Sequence, residues 1–157
     1  MNDERSYPDS DQTLVECSIE ATLGVIGDRW TLLILRDIFR GVRRFSALHN
    51  DLGIARNLLA ERLNKLVENG VVAKEAYQAR PLRHEYRLTP KGADLSMALI
   101  ALMGWGDRWY ATSGAPTVLV HQDCGTPLNQ TVECPLCELV VQPGRIRSRP
   151  GPGRNTL

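Results

Sequence analysis

The feature that most constrains the fold is a segment in which an amphipathic helical pattern is followed at once by two strand patterns, from Gly53 to Gly92. In its first half, apolar side chains recur at the spacing that places them on one face of a helix. These side chains are Leu59, Leu63, Leu66 and Val67. The pattern stops at Gly70, where glycine readily takes the left-handed backbone of a helix C-terminus. The sequence therefore predicts one half-buried helix that ends at this glycine.

The second half of the segment predicts a β-hairpin. Residues 71–77 and 83–89 are rich in β-branched and aromatic residues, and charged side chains alternate with less polar ones along the second run. Residues 78–82 join the two runs and contain Arg80 and Pro81, so the predicted turn carries a positive charge and a proline that fixes its backbone. A hairpin directly after a helix is the order expected of a wing.

Three helices are predicted before this segment, at residues 19–26, 29–40 and 47–52. We expect Asp28 to cap the second helix and Ser46 to cap the third. The second helix is apolar on most sides, which indicates the central core helix. The third meets the following helix at a short turn containing glycine, the arrangement of a helix-turn-helix. Together with the hairpin, this order predicts a winged helix.

The charges are distributed unevenly, although the formal net charge is only +1. Residues 40–91 hold eleven basic and five acidic side chains, whereas residues 1–39 hold three basic and eight acidic ones. The positive block therefore coincides with the helix and the hairpin. A solvated charged face is the alternative, but a basic surface confined to these elements is typical of phosphate binding.

A further helix is predicted at residues 90–112, because Thr89 and Pro90 form a favourable helix start. Its apolar side chains lie on more than one face. One face can cover the domain, and the surplus can bury against a second copy of the chain. Burial under the chain's own C-terminal segment is the alternative. We expect the homodimer.

The predicted fold class is mainly α with a small β component (α+β): a winged helix-turn-helix with a long C-terminal dimerisation helix and a small C-terminal module. Residues 1–16 are expected to be a flexible acidic tail and residues 17–112 the winged-helix domain. Residues 113–141 would form a small ribbon-like module, and residues 142–157 a flexible basic tail. No apolar run approaches the roughly 18 residues of a membrane span, and no signal-peptide pattern is present, so we expect a cytoplasmic protein.

The C-terminal module contains two short motifs with metal-ligand spacing. His121 and Cys124 are three residues apart, as are Cys134 and Cys137. Three thiolates and one imidazole arranged in two such pairs suit tetrahedral zinc. An unmetallated ribbon, an iron–sulfur site and a redox pair of Cys134 and Cys137 are the alternatives. Glu138 stands where a zinc knuckle commonly has glycine.

Several separate blocks occur in a characteristic order: Cys17, residues 23–37, Arg44-Phe45-Ser46, Gly53-Ile54-Ala55, Leu59, Arg62-Leu63, Leu66, the strand pair, and residues 88–92. Together they resemble the HxlR-type winged helix-turn-helix regulators of bacteria. The resemblance covers about residues 17–110. The resemblance implies a homodimeric transcription factor, joined through its first and last helices, that binds double-stranded DNA at an operator with dyad symmetry. A serine is common at the start of the recognition helix in this family, and Ala55 replaces it here, which weakens the cap.

The resemblance and the helical geometry together assign DNA contacts to three groups of residues. Base edges would be read from the exposed face of the recognition helix, since Asn suits adenine and Arg suits guanine. Phosphates would be held by the third helix and the flanks of the recognition helix, and the hairpin would reach the flanking minor groove or backbone. The groups are Arg56, Asn57, Ala60, Glu61 and Asn64 for bases; Arg44, Ser46, Arg62 and Lys65 for phosphates; and Arg80 and Arg83 on the hairpin.

Cys17 is a candidate sensor, because it precedes a predicted helix whose N-terminus favours a thiolate. Some members of the family sense oxidants or electrophiles through a cysteine in this place, and a small residue kept for packing is the alternative. No phosphate-binding glycine loop, nucleophile elbow or catalytic triad is recognisable, so an enzyme is not expected. The competing classes are a thiol oxidoreductase that uses Cys134 and Cys137, and a winged-helix module that binds protein.

Overall fold

A computed structural model describes residues 17–151, in which six α-helices, one two-stranded antiparallel sheet and one short 3₁₀ helix are found. In chain order they are α1 (Ser18–Ile26), α2 (Arg29–Phe39), α3 (Phe45–Leu52), α4 (Arg56–Glu68), β1 (Val72–Ala79), β2 (Leu82–Leu88), α5 (Pro90–Asp94), α6 (Ser96–Tyr110) and the 3₁₀ helix Pro143–Arg145. The acidic tail predicted at residues 1–16 lies outside the described residues, as do residues 152–157 of the basic tail. The order of the first six elements confirms the winged helix-turn-helix.

The core is built around α2, which packs against α3, α4, β2 and α6. Ile34 and Leu35 of this helix are fully buried, and Leu59 and Leu63 of α4 are fully buried too. These four side chains belong to one continuous apolar cluster. The apolar spacing of α4 therefore fixes which of its faces turns inward, and the opposite face is left for solvent or a ligand.

Two expected helix caps have different outcomes. Asp28 caps α2 as predicted, since its side chain accepts hydrogen bonds from the amides of Trp30 and Thr31. The expected cap by Ser46 is wrong, because α3 begins one residue earlier, at Phe45, and Arg44 holds the cap position without a side-chain hydrogen bond. The Phe45 side chain packs against the core. Burial of an aromatic ring at the first turn therefore outweighs the preference for a serine cap.

The wing is an antiparallel hairpin whose strands run further toward its tip than the sequence predicts. The register extends from Val72 opposite Leu88 to Ala79 opposite Leu82, so the turn is shorter than the predicted residues 78–82. Tyr77 has no partner in this register, which is interrupted between Ala76 and Gln78. Such a bulge turns the strand locally and increases its twist.

The helix predicted at residues 90–112 is divided in two, which corrects the expectation of one long helix. Thr89 and Pro90 do start α5, and the Thr89 hydroxyl accepts a hydrogen bond from the Gly92 amide. At Leu95, however, the amide bonds to the carbonyl of Gly92, three residues back, so the hydrogen-bond pattern is that of a turn although the backbone stays in the right-handed helical region. Leu95 packs against the core. Because neither proline nor glycine occupies this position, sequence rules gave no sign of the break.

Leu99 of α6 also packs against the core, while much of the remaining apolar surface of α6 faces outward. The C-terminal module lies beside this helix: residues of both line one cavity, and the Gln130 side chain donates a hydrogen bond to the Met97 carbonyl at 2.9 Å. Among residues 17–151, no helix combines the length and the apolar character that a membrane crossing requires.

Candidate nucleic-acid interface and cysteine sites

The solvent face of α4 carries the residues predicted to read bases. Arg56, Asn57, Glu61 and Asn64 are exposed, and Ala60 is half-buried between them. Ala55 precedes the helix without any side-chain cap, so the weakened cap expected from the sequence is confirmed. The amides of this uncapped first turn point out of the helix end and are suited to donate hydrogen bonds to a phosphate oxygen. The structure therefore places the five predicted base-reading residues on one surface.

Arg62 has a structural role that the sequence did not reveal. Its guanidinium Nε lies 3.2 Å from Asp28 Oδ1, and Nη1 lies 3.0 Å from Glu61 Oε1. Arg62 is only about a quarter exposed. It thus links α4 to the N-terminal cap of α2 and holds the recognition helix at a fixed position on the core. A phosphate contact by Arg62 stays a prediction. The phosphate would have to share the Arg62 guanidinium with the two carboxylates that it already contacts.

Asp28 is the centre of this link. Burial raises the pKa of its carboxyl, but the hydrogen bonds from Thr31 and Trp30 and the charge of Arg62 outweigh that effect and lower the pKa below its ordinary value. The Thr31 hydroxyl, which is buried, donates to Asp28 Oδ2. One carboxylate therefore caps α2, satisfies a buried hydroxyl and holds Arg62.

We expect Asp28→Ala to lower the free energy of unfolding by about 2 kcal/mol, because a helix cap is lost and a buried hydroxyl loses its acceptor. Asp28→Asn keeps an acceptor at the cap and serves as the control, with a smaller loss. Since the folded pKa of Asp28 is lowered, its contribution is complete above the unfolded pKa of about 3.9 and disappears as the pH falls through the lower folded pKa. Urea unfolding of the three proteins at pH 7 and near pH 3 measures both effects. Equal stability of all three at pH 7 would contradict this role.

The start of α3 and the wing approach each other through Arg44. Its guanidinium carbon lies 4.5 Å from the centroid of the Tyr77 ring, and its backbone forms a single β-bridge with Glu85. Arg44 and Ser46 are both exposed. Stacking on the tyrosine restrains the arginine side chain without neutralising its charge. The bulge that frees Tyr77 from the strand register is thus beside a predicted phosphate contact, a relation that no sequence pattern indicated.

The basic side chains of the interface differ in whether a carboxylate already engages them. Arg87 is paired with Glu75 and Glu85. Several others between residues 40 and 91 form no ion pair within the described part of the chain: Arg43, Arg44, Arg56, Lys65, Lys74, Arg80, Arg83 and Lys91. Arg80 and Arg83 are exposed at the tip of the wing. Most of the positive charge on these elements is therefore available to an external anion.

The four predicted metal ligands form two pairs. His121 Nδ1 lies 3.2 Å from Cys124 Sγ. The pKa of Cys124 is lowered, chiefly by the hydrogen bond with the Thr126 hydroxyl. The pKa of Cys134 is lowered by the backbone amides of Cys137 and Leu136 and by the Cys137 thiol. Within residues 17–151, no three His, Cys, Asp or Glu side chains converge as a metal-binding group, so the two pairs are separate sites in this conformation.

Cys17 lies where the sequence predicts, immediately before α1, and its side chain is exposed. Cys17 occupies the N-cap position with an extended backbone, and its sulfur makes no capping hydrogen bond. Exposed Ile19 and Leu23 follow on α1. The thiol is therefore accessible at the edge of an uncovered apolar surface.

The fold and the basic, amide-bearing surface define a winged helix-turn-helix transcriptional regulator that binds DNA. Residues 25–113 match the HxlR-like helix-turn-helix domain, and the chain belongs to this family.

Three similar proteins extend this result. Rv3095 of Mycobacterium tuberculosis (strain ATCC 25618 / H37Rv), described as an HTH-type transcriptional regulator, is 43% identical over 137 residues, 87% of each chain. The crystal structure of PA1607, a candidate transcription factor, superposes with a TM-score of 0.76 at 35% identity and covers 88% of this chain and 96% of that one. The redox regulator HypR in its oxidized form gives a TM-score of 0.55 at 30% identity, and the match covers 59% of this chain and 96% of that one. The first two matches extend past the winged-helix domain. As these relatives are described as regulators, the thiol oxidoreductase gains no support from them.

Proposed function

We propose that the protein binds an operator of dyad symmetry as a homodimer, with α4 of each subunit in the major groove and each wing on the flanking backbone. The observation that carries the proposal is the exposed surface formed by Arg56, Asn57, Glu61 and Asn64 on α4. Arginine and asparagine side chains make two-point contacts with guanine and adenine edges in the major groove, whereas the minor groove distinguishes bases poorly. The opposite side of α4 is buried, so this face is the one that can enter a groove.

The wing is suited to a DNA contact that does not depend on the base sequence. Arg80 and Arg83 are exposed at its tip, and no carboxylate of the described chain pairs with them. Cations of this kind neutralise phosphates and release counterions, which strengthens binding to any duplex and makes binding depend on salt. The wing would thus supply affinity while α4 supplies specificity.

The homodimer is supported by apolar surface that the chain leaves uncovered. Trp105 and Trp109 of α6 are 57% and 65% exposed, and Ile19 of α1 is 70% exposed. The C-terminal module contacts α6 but does not bury these tryptophans, so burial under the module does not account for them. Large exposed aromatic and aliphatic side chains on neighbouring turns of a helix, as on α6, are typical of an interface between subunits. A twofold dimer would present two copies of α4 to a twofold-symmetric site.

We expect Asn57→Ala and Arg80→Ala to weaken DNA binding in different ways. Asn57→Ala should cost about 1–3 kcal/mol on the operator and little on random duplex, because a base contact is lost. Arg80→Ala should weaken binding to both duplexes by a similar factor and reduce the salt slope by about one unit, because a phosphate contact is lost. Fluorescence anisotropy across a range of salt concentrations measures both quantities.

Glu68→Ala is a suitable control for this pair, since Glu68 is exposed at the last turn of α4, beyond the residues assigned to bases. It should leave the preference for operator over random duplex unchanged. If Asn57→Ala and Arg80→Ala reduced binding to operator and random DNA equally, the division of roles between α4 and the wing would be wrong.

A second proposal concerns Cys17, which we propose senses oxidants or electrophiles. Its support is the exposed thiol beside Ile19 and Leu23, because an added group there would alter apolar surface needed for the dimer. HypR, a redox regulator, shares the winged-helix fold at 30% identity. Diamide should lower the operator affinity of the wild type but not of Cys17→Ser. An equal response of both proteins would assign any sensitivity to the other cysteines instead.

A further inference from the structure

The C-terminal module consists of two turns that repeat the same backbone geometry thirteen residues apart. In the first turn, the His121 amide donates to the Thr126 carbonyl and the Gly125 amide donates to the His121 carbonyl. In the second, the Cys134 amide donates to the Leu139 carbonyl and the Glu138 amide donates to the Cys134 carbonyl. Two β-bridges complete the repeat, Val120 with Pro127 and Glu133 with Val140. The repeat superposes His121 on Cys134 and Cys124 on Cys137, so the donor pairs occupy equivalent positions.

The residue after each donor pair has a left-handed backbone. Gly125 has a φ of 70°, and Glu138 has a φ of 54°, the only positive value for a residue other than glycine in the described chain. A residue with a side chain is strained in the left-handed region of the backbone. Glu138 adopts this conformation because the surrounding turn requires it. Glu138 therefore takes the conformation for which a metal-binding turn commonly has glycine. The residue type that seemed unfavourable in the sequence does not prevent the turn.

No apolar core explains why this segment folds. Not one residue between positions 113 and 141, all of which are described, is buried. Its larger apolar side chains are largely exposed: Val118, Val120, Leu128, Val132, Leu136, Leu139 and Val140. Segments below about 40 residues generally need a metal, a disulfide or a partner to hold a defined structure. All four cysteines of the chain are free thiols, so no disulfide holds the segment, and its paired donors make a metal the cross-link that its own residues can supply.

The donors of the first turn are arranged for one ion. His121 Nδ1 and Cys124 Sγ are 3.2 Å apart, close to the roughly 3.5 Å between a nitrogen and a sulfur ligand on one tetrahedral zinc. The other ring nitrogen, Nε2, lies 3.6 Å from Asp123 Oδ2. A carboxylate beside the free nitrogen commonly orients a histidine ligand and fixes its tautomer.

We propose that His121, Cys124, Cys134 and Cys137 of one chain bind a single Zn²⁺ that joins the two turns into one ribbon. Each turn supplies a two-donor half-site; the two pairs stand apart in this structure, so zinc binding would bring the turns together around the ion. Three thiolates and an imidazole select zinc over magnesium or calcium, which prefer oxygen ligands. This site lies outside the winged-helix domain and is independent of how the protein reads DNA.

The test is the metal content of the full-length protein purified under reducing conditions. We expect one zinc per chain that resists dialysis, and replacement by Co²⁺ should produce the visible bands of a tetrahedral ion together with thiolate-to-cobalt charge transfer. His121→Ala and Cys134→Ser should each lower metal affinity at least about a hundredfold in competition with a chelator. Cys17→Ser and Glu138→Gly are the matched controls, and both should keep one zinc per chain.

A second measurement separates loss of the ion from general misfolding. Limited proteolysis should cleave residues 113–141 rapidly in His121→Ala and Cys134→Ser, while the helical circular dichroism of the winged-helix domain is unchanged. A wild-type protein without bound metal and with a disulfide between Cys134 and Cys137 would overturn the proposal in favour of a redox pair. Full zinc retention by His121→Ala, or one zinc for every two chains, would overturn the four-ligand site within one chain.

Discussion

If α6 forms the proposed dimer interface, replacing Leu102 and Trp105 together by glutamate is expected to give a monomer and to lower operator affinity by at least about a hundredfold. The two side chains are 53% and 57% exposed in the isolated chain, so the change disturbs little of the core. At an interface between subunits, each glutamate would be buried without a partner of opposite charge. In a monomer, only one recognition helix binds at a time. The increase in affinity that comes from binding both half-sites together is then lost. Light scattering and operator binding measure the two effects.

The matched control for this variant is Leu136→Glu in the C-terminal module, where the side chain is 89% exposed. It introduces the same kind of charge at an exposed apolar position and should leave the dimer and operator affinity unchanged. A double variant that remained dimeric, with wild-type affinity, would show that α6 is not the subunit interface.

The second large effect is expected at Gly92, where Gly92→Ala should lower the free energy of unfolding by about 3 kcal/mol. A Cβ at this position would collide with the Val71 carbonyl oxygen and come within 3.2 Å of Leu88 Cδ2. The same carbonyl accepts hydrogen bonds from the Thr89 amide at 3.1 Å and from the Thr89 hydroxyl at 3.2 Å. Moving it would therefore disturb the junction of the wing with α5.

Gly24→Ala in α1 is the control, because a Cβ there meets no atom within 4 Å and alanine favours a helix. It should leave stability unchanged or raise it by up to about 1 kcal/mol. Urea unfolding must be compared at one protein concentration, since the stability of a dimer depends on it. If Gly92→Ala matched the wild type, the tight contact with Val71 would not be required by the fold.

The winged-helix part of the fold was predictable because its signals are local and agree with one another. The spacing of Leu59, Leu63 and Leu66 fixes the buried face of α4, and all three are fully buried. The break at Leu95 was not predictable, because it results from packing of that side chain on the core and not from a helix-breaking residue. The expected Ser46 cap failed for a similar reason, since burial of Phe45 moves the start of α3. Tertiary packing overrides local preference in both cases.

The candidate site was predictable as a set of residues but not as a set of contacts. Sequence spacing placed Arg56, Asn57 and Asn64 on one exposed face, and charge counting located the basic segment. The pairing of Arg62 with Asp28 joins residues far apart in the chain, so no local pattern could reveal it. Likewise, the stacking of Arg44 on Tyr77 depends on a bulge in the wing that only the register shows.

Selection of bound duplexes from a random pool by the full-length protein tests the central claim most directly. The account predicts enrichment of an inverted repeat whose half-sites are centred about one helical turn, roughly 10 base pairs, or a multiple of it apart, because two α4 helices related by a twofold axis would enter successive major grooves. Each half-site should contain positions whose enrichment disappears with Asn57→Ala. Enrichment of a single unrepeated site, or no enrichment despite binding at low salt, would contradict the account.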